Sequence, residues 1–144
     1  MSTTLSELES PSTARSRSPL WRAGLVATGV AAATNLALYL AGRAGGVDFV
    51  GRLSPDADLT EVVAGHVLVT TIIPLLLGTA GAVLIRRRGH GLGLVRLAGA
   101  AVAVLSLAGP ISLDADPGTK VLLAAMHLVA GAAFVAILRP GRGE

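Results

Sequence analysis

The chain has 144 residues, of which 52% are hydrophobic and only 15% charged, with a mean hydropathy of +0.68. A soluble domain carries about a quarter charged residues, so this composition excludes an ordinary water-soluble globule and fits lipid as the solvent. The absence of cysteine removes disulfides, thiolate metal sites and thiol redox chemistry, and a net charge of +3 without a basic folded face argues against nucleic acid.

In chain order, residues 1–19 (MSTTLSELESPSTARSRSP) are rich in Ser, Thr and Pro and read as a disordered tail before a membrane domain over residues 20–140. Trp21 marks an interface. The first apolar span is Ala23 to Gly42. Read with the tail it competes as a secretory signal, but it exceeds the usual apolar core of about 7 to 15 residues. A second span runs from Val62 to Ile85 and contains Pro74, which removes a backbone donor and favours a kink. The turn after it, RRRGHG, leads into GHGLG; this lacks GxGxxG spacing and a preceding strand, so it reads as a flexible turn rather than a phosphate loop. The third span is Leu97 to Leu113, starting near Leu92 if Arg96 snorkels back to the headgroups, with Pro110 near its end, where a break costs less. The fourth, Val121 to Leu138, is eighteen uncharged residues interrupted in polarity by His127. Each span meets the roughly 17 to 25 residues a bilayer core requires. The expected fold is an all-α, four-transmembrane-helix, up-and-down bundle, with the second and fourth helices on a diagonal.

The distribution of arginine orients it. Nine of the twelve basic residues flank the N-terminus, the second connection and the C-terminus, leaving Arg43, Arg52 and Lys120 on the other side. The positive-inside rule then puts both termini in the cytoplasm of a multi-pass inner (plasma) membrane protein.

In that orientation the polar residues within the spans gather near the outer side. Asn35 and Tyr39 lie one turn apart on the first helix, His66 and Thr70 one turn apart on the second, with Ser106 on the third and His127 on the fourth. At 1.5 Å per residue the two histidines sit roughly 6 to 9 Å below the outer boundary. Asn35, Tyr39, His66, Thr70, Ser106 and His127 thus form a candidate polar layer or pocket, with Asn35 fixing a histidine tautomer and Asp48, Asp114, Asp116 and Lys120 at its mouth. An intramembrane ionisable group is a functional-site hypothesis by default; interhelical hydrogen bonding alone is the plainer alternative. The loop LDADPGTK begins like a calcium loop but lacks the third acid, the Gly at position six and the Glu at twelve; a Pro117–Gly118 turn with Thr119 capping the fourth helix accounts for it.

Two segments, NLALYLAGRAGGVDF (35–49) and SLAGPISLDADPGTKVLLAAMHLVAGAAF (106–134), resemble a family of small actinobacterial membrane proteins catalogued as a domain of unknown function. In that family an Asn near the end of the first helix, a GVDF-like loop, a GP near the end of the third helix and a TK…MH pattern in the fourth recur. The resemblance covers Trp21 to Arg139 and falls on Asn35, Asp48, Pro110, Lys120 and His127. It implies a four-helix integral membrane protein and no established activity.

Three functions stay open. The first is a non-enzymatic bundle acting by self-association, as a homo-oligomer, or with a membrane protein partner in an envelope complex, through the small-residue faces Ala23, Ala27, Ala31 and Gly99, Ala103. The second is a small-molecule or cofactor site, quinone or haem, between His66 and His127. The third is proton or ion transport as an oligomer, since the inner halves of the spans offer no polar path. No nucleophile, histidine and acid arrangement points to hydrolysis, and no metal site is expected.

Overall fold

The computed structural model describes residues 19–138. Residues 1–18 of the expected tail, and Arg139 and Arg142, lie outside them. The helices are α1 (Pro19–Ala44), α2 (Ala64–Arg87), α3 (Gly93–Leu105), the short α4 (Ala108–Ser112) and α5 (Pro117–Ile137). Three short strands accompany them: β1 (Val50–Arg52), β2 (Thr60–Glu61) and β3 (Asp114–Ala115). Among the described residues four spans are long and apolar enough to cross a membrane: Leu20–Ala44, Ala64–Arg87, Gly93–Ser112 and Pro117–Ile137. A helix satisfies its own backbone groups, which lipid cannot do, so such sequences adopt this form. Their outward surfaces remain greasy, with Val26, Leu77 and Leu94 each more than two-thirds exposed. In water such a surface would be an aggregation liability; against acyl chains it is the expected one. By length and composition these are the features of a membrane-spanning chain.

α1 packs against both α2 and α5, while α3 packs against α5. The second and fourth spans are therefore not a diagonal pair: α2 and α5 flank α1 and touch each other, leaving a cleft between them. Two apolar clusters bracket that cleft. Leu20, Ala82, Ile137 and Leu138 form one, near the Arg86–Arg88 turn; Tyr39, Phe49, Val67 and Met126 form the other, near the strands. In the first, the ring of Phe134 lies between Gly78 of α2 and Gly99 of α3, and a Cβ at either glycine would overlap it. A Cβ at Gly131 would likewise strike Ala103. Most of the small residues read from sequence as association faces are thus used within the chain: Ala31 is fully buried, Ala27 packs on the first cluster, and Gly99 and Ala103 meet α5. Ala23 alone stays exposed.

The all-helical expectation is corrected at the end of the molecule opposite the Arg86–Arg88 turn. There β1 pairs antiparallel with β2 (Gly51 opposite Thr60) and with β3 (Gly51 opposite Ala115), giving the order β2-β1-β3. Strands of two or three residues are too short to show a period-two pattern, so sequence gives no sign of them. Phe49, at a φ of 54°, turns the chain into β1 with its ring fully buried against Tyr39, centroids 4.8 Å apart. Arg43 donates to the Asp48 carbonyl (2.7 Å) and pairs with Glu61 (3.2 Å), and Arg52 pairs with Asp114 (2.7 Å).

α2 is one continuous helix with Pro74 inside it. Two local expectations are revised. The third span breaks at Ser106–Leu107, upstream of Pro110, because a proline ring collides with the carbonyl four residues earlier, here that of Ser106. Asp116, not Thr119, caps α5. Its carboxylate accepts from the Thr119 backbone N–H (3.1 Å) and from the Thr119 hydroxyl, and Pro117 supplies the preset φ of the first helical position.

Candidate binding cleft

His66 and Thr70 lie four residues apart along one edge of α2, with Val62 in the segment that leads into the helix, and Val67 and Thr71 lie along the edge beside it. On α5, Leu123, Met126, His127 and Ala130 occupy one face at spacings of three and four. These two faces line a cleft of about 280 Å³, to which α1 contributes Asn35. Its walls are mostly apolar, with polar groups from all three helices among them.

Asn35 is the fixed point. It is 2% exposed, and its Nδ2 group donates to Thr71 Oγ1 on α2 (2.9 Å) and to the Met126 carbonyl on α5 (3.2 Å). One side chain therefore ties three helices together. Its Oδ1 is buried and has no hydrogen-bond partner among the described residues. Over 90% of buried polar groups in folded proteins are partnered, so an orphan beside a cleft marks a place for a missing donor.

His127 is oriented by its own helix. Its Nδ1 lies 2.8 Å from the Leu123 carbonyl, and a carbonyl can only accept, so Nδ1 carries the proton. In the neutral ring Nε2 then keeps its lone pair. The tautomer is set by Leu123, not by Asn35, which corrects the role sequence assigns to that amide. His66 is exposed and, among the described residues, has no side-chain hydrogen-bond partner. The Thr70 hydroxyl donates to the His66 carbonyl (2.7 Å), within α2.

Of the six residues expected in the polar layer, Asn35, His66, Thr70 and His127 line this cleft. Tyr39 and Ser106 do not: Tyr39 packs on Phe49, and the Ser106 hydroxyl donates to the Ala103 carbonyl on α3 (2.7 Å). None of the four mouth residues lines it either. Asp114 is engaged by Arg52, Asp116 caps α5, Asp48 is exposed with its carbonyl taken by Arg43, and Lys120 is half-buried in the first turn of α5. The Thr119 hydroxyl and backbone hydrogen bonds hold the Asp116 carboxyl below the usual carboxylate range. Among the described residues no three His, Asp or Glu side chains converge as metal ligands would. Thr71 is the residue sequence reasoning missed. The signal was the buried stripe Val67, Thr71, Leu75 and Thr79 at four-residue spacing, running beside the His66–Thr70 edge.

A model described as a family of unknown function, DUF6069, matches residues 15–143. The chain belongs to that family. The match runs through all four spans, so the cleft of this DUF6069 protein lies wholly within the family region. No curated protein and no solved structure matches the chain. The DUF6069 description carries no activity, and the chemistry rests on the cleft.

Proposed function

We propose that this DUF6069 protein holds the head group of a small lipid-soluble molecule between α2 and α5, in the outer leaflet of the plasma membrane, with both termini cytoplasmic. The observation that carries the reading is Asn35: a buried amide, linked to both cleft walls, whose oxygen lacks the partner a ligand would supply. A volume of about 280 Å³ fits this scale, since an apolar cavity of about 150 Å³ accepts benzene and drug-sized pockets begin near 300 Å³. Apolar walls with a few polar groups are the ordinary makeup of such sites. The orientation is supported by the bias of nine of the twelve basic residues towards one side. Transport finds less support, because the Thr79 hydroxyl, deeper along α2, is bonded to its own Leu75 carbonyl and Ala82 beyond it is apolar.

The test is to fill the cleft without touching its polar groups. Ala130→Trp places an indole among the lining residues, and native mass spectrometry then compares variant and wild-type protein released from membranes. The wild-type protein is expected to carry a small non-phospholipid adduct that the variant lacks. Identical adduct patterns in both would refute the proposal.

A second reading, association through α3, is favoured by one feature. α3 packs against α5 and has no buried residue of its own, leaving Leu97, Val102 and Leu105 outward. Crosslinking in native membranes through cysteines placed along that face separates a paired α3 from one bathed in lipid.

A further inference from the structure

We infer that the cleft selects ligands by hydrogen-bond direction, taking a head group that donates, a phenolic or dihydroxyaromatic ring, in preference to the corresponding quinone. The inference rests on the cleft being a binding site, as proposed above, and adds the chemistry of what enters it.

The argument is an inventory of protons. The Asn35 Nδ2 group is engaged with Thr71 Oγ1 and the Met126 carbonyl. The proton on His127 Nδ1 goes to Leu123, and the Thr70 hydroxyl proton goes to the His66 carbonyl. What these groups retain for a ligand is lone pairs: Asn35 Oδ1, which has no partner among the described residues, His127 Nε2 in the neutral ring, and the free lone pair of Thr70 Oγ1. Two donors remain. The Thr71 hydroxyl is buried, at 4% exposure, with Asn35 already bonded to its oxygen; the His66 ring is ambivalent, one nitrogen donating and the other accepting. Asn35 and Thr71 are both buried, so counted alike the acceptors still outnumber the donors, and they come from three helices.

A quinone carbonyl only accepts. Entering this cleft it would face the lone pairs of Asn35 and His127 and find donors only at Thr71 and His66. The hydroxyls of the reduced ring donate, so one can partner Asn35 Oδ1 while another reaches Nε2 of His127. Because Asn35 is buried, the penalty of its unpartnered oxygen is relieved by one ligand form and worsened by the other, and that difference is the source of selectivity. The apolar lining of Val62, Val67, Leu123 and Met126 receives the body of the ring.

The test uses the full chain in nanodiscs and three probes of equal tail length: decylhydroquinone kept reduced under anaerobic conditions, decylbenzoquinone, and decylbenzene. Equilibrium binding is corrected for partition into empty nanodiscs. The hydroquinone is expected to bind about tenfold tighter than the quinone, the worth of one to two net hydrogen bonds. His127→Leu, at a half-buried position that tolerates an apolar side chain, should move that preference towards parity, and Ala130→Trp should weaken all three probes. Equal affinities, or tighter quinone binding, with Ala130→Trp still abolishing both, would overturn donor selection while leaving the cleft a binding site. Hydroquinone preference unchanged by both variants would also overturn it, because the site would lie elsewhere. No saturable binding of any probe would overturn both this inference and the function it rests on.

Discussion

Asn35 does with one amide what a soluble core does with many apolar contacts. In lipid the hydrophobic effect gives helices little reason to associate with one another rather than with acyl chains, so packing and interhelical hydrogen bonds carry proportionately more. Asn35→Ala removes two such bonds, at about 0.6 kcal/mol each, and leaves a small void, for an expected loss of about 1 to 2 kcal/mol. Thr71→Val keeps the shape and removes one bond, so it should cost about half as much, and the two changes should be less than additive. Reversible unfolding in mixed detergent micelles measures both. At the other polar fixture, Asp116, the folded carboxyl is held below its ordinary range by Thr119. The stabilisation it gives is therefore present above the usual carboxylate range and fades as pH falls through the lowered folded pKa. A pH series of thermal unfolding should show wild-type protein losing stability in acid while Asp116→Asn, already without the charge, changes less.

At the scale of elements, the account turns on how α3 is held. Its grip on the rest of the molecule is largely the Phe134 ring set between Gly78 and Gly99, and the Ala103–Gly131 approach. Gly99→Ala should destabilise by about 1 to 3 kcal/mol, as overpacking does, because the ring cannot retreat from α3 without meeting α2. The same change at Gly29, where nothing lies within 4 Å, should have little effect. Melting temperatures in one detergent compare the two. These elements also divide what sequence reveals from what it hides. Length and uninterrupted hydropathy announce all four spans, since the bilayer fixes how long each must be. The strands are hidden because two residues have no periodicity. The break before Pro110 and the cap at Asp116 were visible as Pro110 and as DPGT, but each took effect a few residues from where a residue-type rule puts it.

For the whole molecule, position along a span is legible in the sequence and azimuth is not. Counting residues from a span end brings His66, Asn35 and His127 to one level, and these three do line one cleft. Counting says nothing about which face of α1 meets which neighbour, so Tyr39 and Ser106, at similar depth, were grouped with them although they point into other contacts. The same gap explains the misplaced mouth: the loop acids are drawn to Arg52 and to the start of α5 by strand register and capping geometry that span counting cannot represent. Orientation in the bilayer is open to direct measurement because the chain has no cysteine. An impermeant maleimide should reach Asp56→Cys from outside intact cells, and Gly91→Cys only after permeabilisation.

The same absence of cysteine allows the central claim, that α2 and α5 present His66 and His127 to one shared cleft, to be tested in native membranes. The double variant His66→Cys with His127→Cys is treated with a short bismaleimide, beside the control pair His66→Cys with Ser106→Cys. Joining of the first pair within a single chain, read as a mobility shift on a denaturing gel, and none in the control is the predicted result. Modification of both sites in the first pair without joining, while the control pair is joined, would contradict the shared cleft.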